Sequence, residues 1–183
     1  MRVNRVILIG FRASGKTSVG KELAKKLKFR FIDLDEEIEK SLNKSIRELV
    51  EENGWEEFRK IEKEFLRKFG EEERVVLALG GGAVLHQREM EELKKRGTVI
   101  WLYADPEKVI ERIKKDSKSF SQRPSLTGKS LKEEVEEVLK ERLPLYEKFA
   151  HFKIDTSSEP LEMVVKKVLK ILKGGEGNVE GNC

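Results

Sequence analysis

Hydrophobic positions along the chain follow two different spacings. Five short, β-branched runs, Val3–Ile9, Phe29–Asp33, Val75–Leu79, Thr98–Leu102 and His151–Asp155, have the length and make-up of strands. Between them apolar residues return at helical spacing, as at Val19, Leu23 and Leu27, and again at Trp55, Phe58, Ile61, Phe65 and Phe69. Strands alternating with helices predict an α/β fold with a parallel sheet, because parallel neighbours need long crossovers and these cover both faces. Punctuation agrees with this reading. Ser45 precedes Glu48, and Ser130 precedes Glu133, at the spacing of capping boxes; Pro106 and Pro160 suit first helical turns, and Gly97 suits a helix stop.

Two segments break the rhythm. Asp116–Lys129 (DSKSFSQRPSLTGK) is polar and too long for an ordinary connector, so it reads as a mobile lid or as a disordered surface loop. Gly174–Cys183 carries four glycines and no periodicity, and is expected to be a flexible tail behind a single domain at 1–173.

Composition narrows the class. A chain of 183 residues has room for one domain, and its longest apolar runs, such as VILIG and VIWL, are far too short to span a membrane. No cleavage-site pattern follows the first apolar run, so a cytoplasmic location is expected. The one cysteine, Cys183, excludes an intramolecular disulfide. Positive and negative charges, 38 against 34, are interleaved along helical faces such as KEEVEEVLKER, which disfavours a nucleic-acid stripe. A charged fraction of 39% with five Asn and two Gln suggests adaptation to high temperature.

The clearest chemistry is Gly10-Phe11-Arg12-Ala13-Ser14-Gly15-Lys16-Thr17, a complete G-x-x-x-x-G-K-[ST] that follows a predicted strand and opens a predicted helix. Backbone N–H groups of such a loop wrap phosphates, the lysine reaches the β- and γ-phosphates, and the threonine hydroxyl can ligate Mg²⁺. Asp33 and Asp35 end the second strand, and strand alternation would send both carboxylates to one side, although either could simply cap the next helix. Gly80-Gly81-Gly82 follows the third strand, either as a tight turn or as bare backbone that a small ligand can approach. It stands where many P-loop proteins carry an acidic metal-shell residue, which shifts that role to Asp33.

Three arginines stand out by position: Arg59 in FRKIE, one step off an apolar stripe; Arg123 inside the candidate lid; and Arg142, which opens RLPLY just after a predicted helix. Each would by default be a solvated surface residue. His86 and His151 are too isolated for a triad or a metal site.

Taken in order, the P-loop, Asp33-x-Asp35, FRKIE, Gly80–Gly82 with Ala83-Val84, Arg123-Pro124 and RLPLY resemble shikimate kinase over roughly residues 3–172. The resemblance implies a P-loop, nucleoside-monophosphate-kinase-like fold with a five-stranded parallel sheet in the order 2-3-1-4-5, a substrate-binding region near 33–61, and a lid at 116–129. It implies transfer of phosphate from ATP to the 3-hydroxyl of shikimate with Mg²⁺, by a monomer without membrane or nucleic-acid partners.

Residue by residue, it assigns catalysis to Lys16, Asp35 and Arg123. The nucleotide falls to Gly10, Ala13, Ser14, Gly15, Lys16, Thr17, Ser18, Arg112 and Arg123, and Mg²⁺ to Thr17 and Asp33. Shikimate falls to Asp35, Arg59, Gly80, Gly81, Gly82 and Arg142. The chain departs from the family pattern in SKSFSQ before Arg123, in Ser125-Leu126 where two leucines are frequent, and in DTSSEP after the last strand, which lacks a basic residue. Rival readings are a gluconate or nucleoside-monophosphate kinase on the same scaffold, an ATP-binding module without catalysis, and a basic nucleic-acid binder.

Overall fold

The computed structural model describes residues 4–115 and 125–174. Five strands, β1 (Arg5–Ile9), β2 (Arg30–Asp33), β3 (Val75–Ala78), β4 (Thr98–Tyr103) and β5 (Phe152–Asp155), form one parallel sheet in the order β2-β3-β1-β4-β5. Each predicted run holds its strand, with ends moved by one or two residues. Helices α1 (Lys16–Leu27), α2 (Leu34–Leu42), α3 (Ile46–Gly70), α4 (Gln87–Arg96), α5 (Pro106–Lys115), α6 (Leu131–Phe149) and α7 (Leu161–Lys173) make the connections, with a 3₁₀ turn at Ala83–Leu85.

Strand pleating divides the core. Val6 and Leu8 of β1 pack with Val19 and Leu23 of α1 and with Val164, Val165 and Val168 of α7 on one face. Ile7 and Ile9 point the other way, to Phe58, Leu66 and Phe69 of α3, Met90 of α4, and Tyr146 and Phe149 of α6. All five residues of β1 are buried, as expected of a central parallel strand. Truncating one of its fully buried isoleucines to alanine removes roughly 2–5 kcal/mol.

Both predicted capping boxes form: the Ser45 and Ser130 side chains accept from the backbone N–H groups of Glu48 and Glu133, which reach back in turn. The helical period from Trp55 to Phe69 also forms, within α3 and after a kink at Gly54, whose φ of 79° only a glycine adopts easily. Two local readings are corrected. Pro160 is the cap before α7 and not part of its first turn. Arg142 lies inside α6, because the helix continues through Pro144; the lost backbone bond is offset by complete burial of Tyr146 and Phe149 beyond it. Among the described residues no helix is long and apolar enough to cross a membrane.

Candidate active site

Everything of chemical interest gathers at the C-terminal edge of the sheet, where parallel α/β folds leave a crevice. Two clefts meet there. The larger, about 660 Å³, is lined by Ala13, Ser14, Gly15, Lys16, Thr17 and Ser18 of the loop between β1 and α1, together with Asp33, Asp35, Arg112 and Thr156. Gly15 precedes α1 without a side-chain cap, so the first N–H groups of the helix face this cleft as a ready anion site. Lys16 Nζ donates to the carbonyls of Gly10 and Phe11 at 2.8 and 2.7 Å, which curls it over the loop. Gly10 itself does not line the cleft; it contributes its carbonyl to Lys16 from below.

Asp33 does two things at once. Its Oδ1 accepts from the backbone N–H groups of Asp35 and Glu36 at 3.2 and 3.5 Å and caps α2, while Oδ2 accepts from the Thr17 hydroxyl at 2.6 Å. The helix-capping alternative left open for this residue is thus realised, and its second oxygen is turned to the first turn of α1. Asp35 does not follow by strand alternation, because β2 ends at Asp33; the first turn of α2 carries it to the junction of the clefts. Arg112 donates to the carbonyls of Ala13 and Thr156 at 3.2 and 2.5 Å, tying α5 to the loop and to the segment after β5.

The smaller pocket lies beside it and is lined by Asp35, Arg59, Gly80, Gly81, Gly82 and Arg142, with Phe11, Arg12, Trp55, Phe58, Glu62 and Leu126 completing the wall. Its free space is about 30 Å³, on the order of one water. The side-chain-free turn after β3 is what lets its walls close in. A Cβ on Gly80 would come within 2.8 Å of Asp35 Oδ1, and one on Gly82 would overlap the Arg59 guanidinium. Tyr146, fully buried and stacked on Trp101, donates its hydroxyl to the Gly81 carbonyl at 2.7 Å and fixes the turn from behind.

Arg59 is held from three sides. Its guanidinium lies over the rings of Trp55 and Phe58 at 5.4 and 5.3 Å, and Nη1 donates to Glu62 Oε2 at 2.6 Å. That same oxygen accepts from His86 Nε2 at 2.9 Å. Burial alone would raise the Glu62 carboxyl, but His86 and Arg59 outweigh it and hold the group below the ordinary glutamate range. Burial also lowers Arg142. Three buried polar atoms on residues of this pocket lack a protein partner: the acceptor Glu62 Oε1 and the donors Arg12 Nε and Arg142 Nε.

Of the residues singled out in the sequence, the structure brings together all but Gly10 and Arg123; the latter, with Asp116–Pro124 and the tail beyond Gly174, lies outside the described residues. The remaining end of the loop, Ser125–Lys129, is tied to α6, where Glu134 receives hydrogen bonds from Ser125, Leu126 and Thr127. Sequence reasoning missed Glu62, although its place three residues after Arg59 on a helix was a signal for an ion pair. It also missed Tyr146, Arg12 and Glu134.

A protein from Thermodesulfovibrio yellowstonii named shikimate kinase is 42% identical over 92% of this chain and 94% of its own length. Among solved structures, shikimate kinase from Acinetobacter baumannii in complex with shikimate superposes with a TM-score of 0.89 at 31% identity, covering 96% of each chain. The enzyme from Aquifex aeolicus gives 0.79 at 37% identity, covering 93% of this chain and 97% of that one. A family model described as shikimate kinase matches residues 12–173. With the paired clefts, the match over nearly all of its length and the relative at 42% identity agreeing, this chain belongs to the shikimate kinase family.

Proposed function

We propose that the protein transfers the γ-phosphoryl group of ATP to the 3-hydroxyl of shikimate, with the larger cleft taking the nucleotide and the smaller pocket taking shikimate. The observation that carries this reading is the position of Asp35 in the wall shared by both clefts. A carboxylate there can accept the proton of a hydroxyl that attacks a phosphate held on the other side. Two of the unpartnered buried atoms describe the acceptor: Glu62 Oε1 calls for a hydroxyl, and Arg142 Nε for an anion. Shikimate, with hydroxyls on one side of its ring and a carboxylate on the other, supplies both.

In this reading Arg59 and Arg142 hold the substrate carboxylate by planar guanidinium donors, and the backbone of Gly81 meets a ring hydroxyl. Ala13 to Ser18 cradle the phosphates, Lys16 leaves its carbonyls to meet the transferring group, and Arg112 flanks the base. Arg123 is assigned to the phosphates from the lid. Mg²⁺ fits the oxygen donors Thr17 and Asp33, already joined at 2.6 Å, since this ion takes few protein ligands beside substrate phosphates. When bound it neutralises charge on those phosphates. A pocket with room for about one water opens by outward movement of Arg12, Arg59 or Leu126, and recloses to exclude water from the transferring phosphate. A monomer in the cytoplasm completes the proposal.

ADP release with shikimate, with gluconate, with a nucleoside monophosphate and with no acceptor, each in Mg²⁺ and in chelator, tests it. Release that requires both shikimate and Mg²⁺ is expected. Equal release with another acceptor, or without any, overturns the assignment.

A further inference from the structure

Glu134 is an unusual residue for the interior: its side chain is 3% exposed, and it stands outside the residues that the proposed chemistry uses. Four groups from two separate parts of the chain converge on it. Arg12 Nη2, from the phosphate loop, donates to Oε1 at 2.8 Å. On the other oxygen, Oε2, the Leu126 and Thr127 N–H groups donate at 2.9 and 3.4 Å, joined by the Ser125 hydroxyl. The carboxylate thus divides its oxygens, one for the loop after β1 and one for the chain entering α6. Its two tenants, Arg12 and Leu126, are both wall residues of the smaller pocket, and Arg12 lines the larger cleft as well.

Burying a carboxylate is unfavourable unless its lone pairs are filled, and here both oxygens are used. What this placement gains is registry between two segments that sequence separates by more than a hundred residues. Burial lowers the Arg12 guanidinium, and Glu134 counters that by charge and hydrogen bond, keeping a cation at the rim. A neutral side chain at 134 could hold the loop end or the arginine, but it could not serve both with acceptors.

We propose that Glu134 is a positioning residue that sets Arg12 and Leu126 as one rim of the acceptor pocket, and thereby sets the affinity for the acceptor. The proposal rests on the pocket reading given above. Glu134→Gln keeps size and shape but offers one acceptor oxygen and one NH₂ group, so either Arg12 or the Leu126 and Thr127 N–H groups face a donor.

The test is steady-state kinetics of Glu134→Gln with ATP and shikimate varied in turn, beside Arg12→Met and the double variant. The expected result is a KM for shikimate raised about tenfold, with kcat and the KM for ATP within about threefold of the parent. In the Arg12→Met background the glutamine oxygen is free to serve the loop, so the same change should then alter the shikimate KM by less than about twofold. A shikimate KM unchanged by Glu134→Gln, with only the melting temperature lowered, overturns the proposal. So does an equal effect in both backgrounds. Should Glu134→Gln not fold, Ser125→Ala removes one donor at the surface and is expected to raise the shikimate KM by about threefold; no change there also overturns it. Arg59→Lys, run alongside, reports the pocket itself: a rise of about tenfold is expected, because a point charge does not replace a fork of donors. If that variant binds shikimate as the parent does, the pocket reading has failed, whatever Glu134 does.

Discussion

The Thr17 hydroxyl donates to Asp33 Oδ2 at 2.6 Å, joining the first turn of α1 to the end of β2 in the wall of the larger cleft. The other oxygen of Asp33 caps α2, so one carboxylate fixes a hydroxyl and the helix that presents Asp35.

Because these two jobs use different oxygens, two substitutions separate them. Asp33→Asn retains a capping oxygen and is expected to raise the Mg²⁺ concentration for half-maximal activity by about tenfold. Asp33→Ala should do the same and also lose about 1 kcal/mol of stability with the cap. Mg²⁺ titration and urea unfolding of both variants check this; parental Mg²⁺ dependence in either contradicts the metal assignment.

Lys16 is held by the Gly10 and Phe11 carbonyls and is the first residue of α1, whose N-terminus faces the cleft. Removing its charge with Lys16→Ala should lower kcat by at least about 10²-fold while far-UV circular dichroism stays native. Near-parental turnover in a folded variant would falsify the phosphate-loop assignment.

Tyr146 is buried, and burial raises its phenol to about 12, so it remains a donor throughout the working pH range. Tyr146→Phe leaves the Gly81 carbonyl unpaired and is expected to cost about 1–3 kcal/mol. The turn it supports lines the acceptor pocket, so the shikimate KM should rise more than the KM for ATP. Unfolding curves and kinetics measured on the same preparation decide it; unchanged stability would mean that the hydrogen bond contributes nothing net.

Glu62 predicts an acid limb in stability. Its carboxyl is buried, which by itself opposes ionisation, yet His86 and Arg59 hold it below the ordinary glutamate range. A group lowered by folding stabilises the native state above its unfolded value, and that contribution is lost as pH falls through the lower folded value. Through this group, stability should be level from neutrality to about pH 4.5 and decline below it. Glu62→Gln should lower the plateau by roughly 3 kcal/mol and flatten the decline. Parallel curves for parent and variant, from urea midpoints between about pH 3 and pH 7, would exclude Glu62 as its source.

Much of this architecture was readable in one dimension because its signals are local. The strands announce themselves by short apolar runs, the phosphate loop by a fixed spacing, and the caps of α3 and α6 by a serine and a glutamate three apart. Residues whose meaning depends on a distant partner stayed hidden. Tyr146 is one more aromatic until Gly81, 65 positions away, proves to be its acceptor. Glu134 reads as one acid among many along α6 until Arg12 closes on it from 122 positions away. Asp35 was found for an unsound reason, since strand alternation stops at Asp33 and a helical turn takes over. The helix before Arg142 was ended too early, since it runs on through Pro144 to bury Tyr146 and Phe149.

The bare turn at Gly80–Gly82 also constrains how this scaffold can diverge. A first methyl at Gly82 would evict the Arg59 guanidinium, and one at Gly80 would crowd the Asp35 carboxylate. Turn and arginine are therefore not independent characters. A lineage that exchanges a carboxylate-bearing acceptor for an uncharged one must release the arginine first; only then can side chains colonise the vacated turn and shape a new specificity. In the reverse order the first step already displaces a cation into its neighbours.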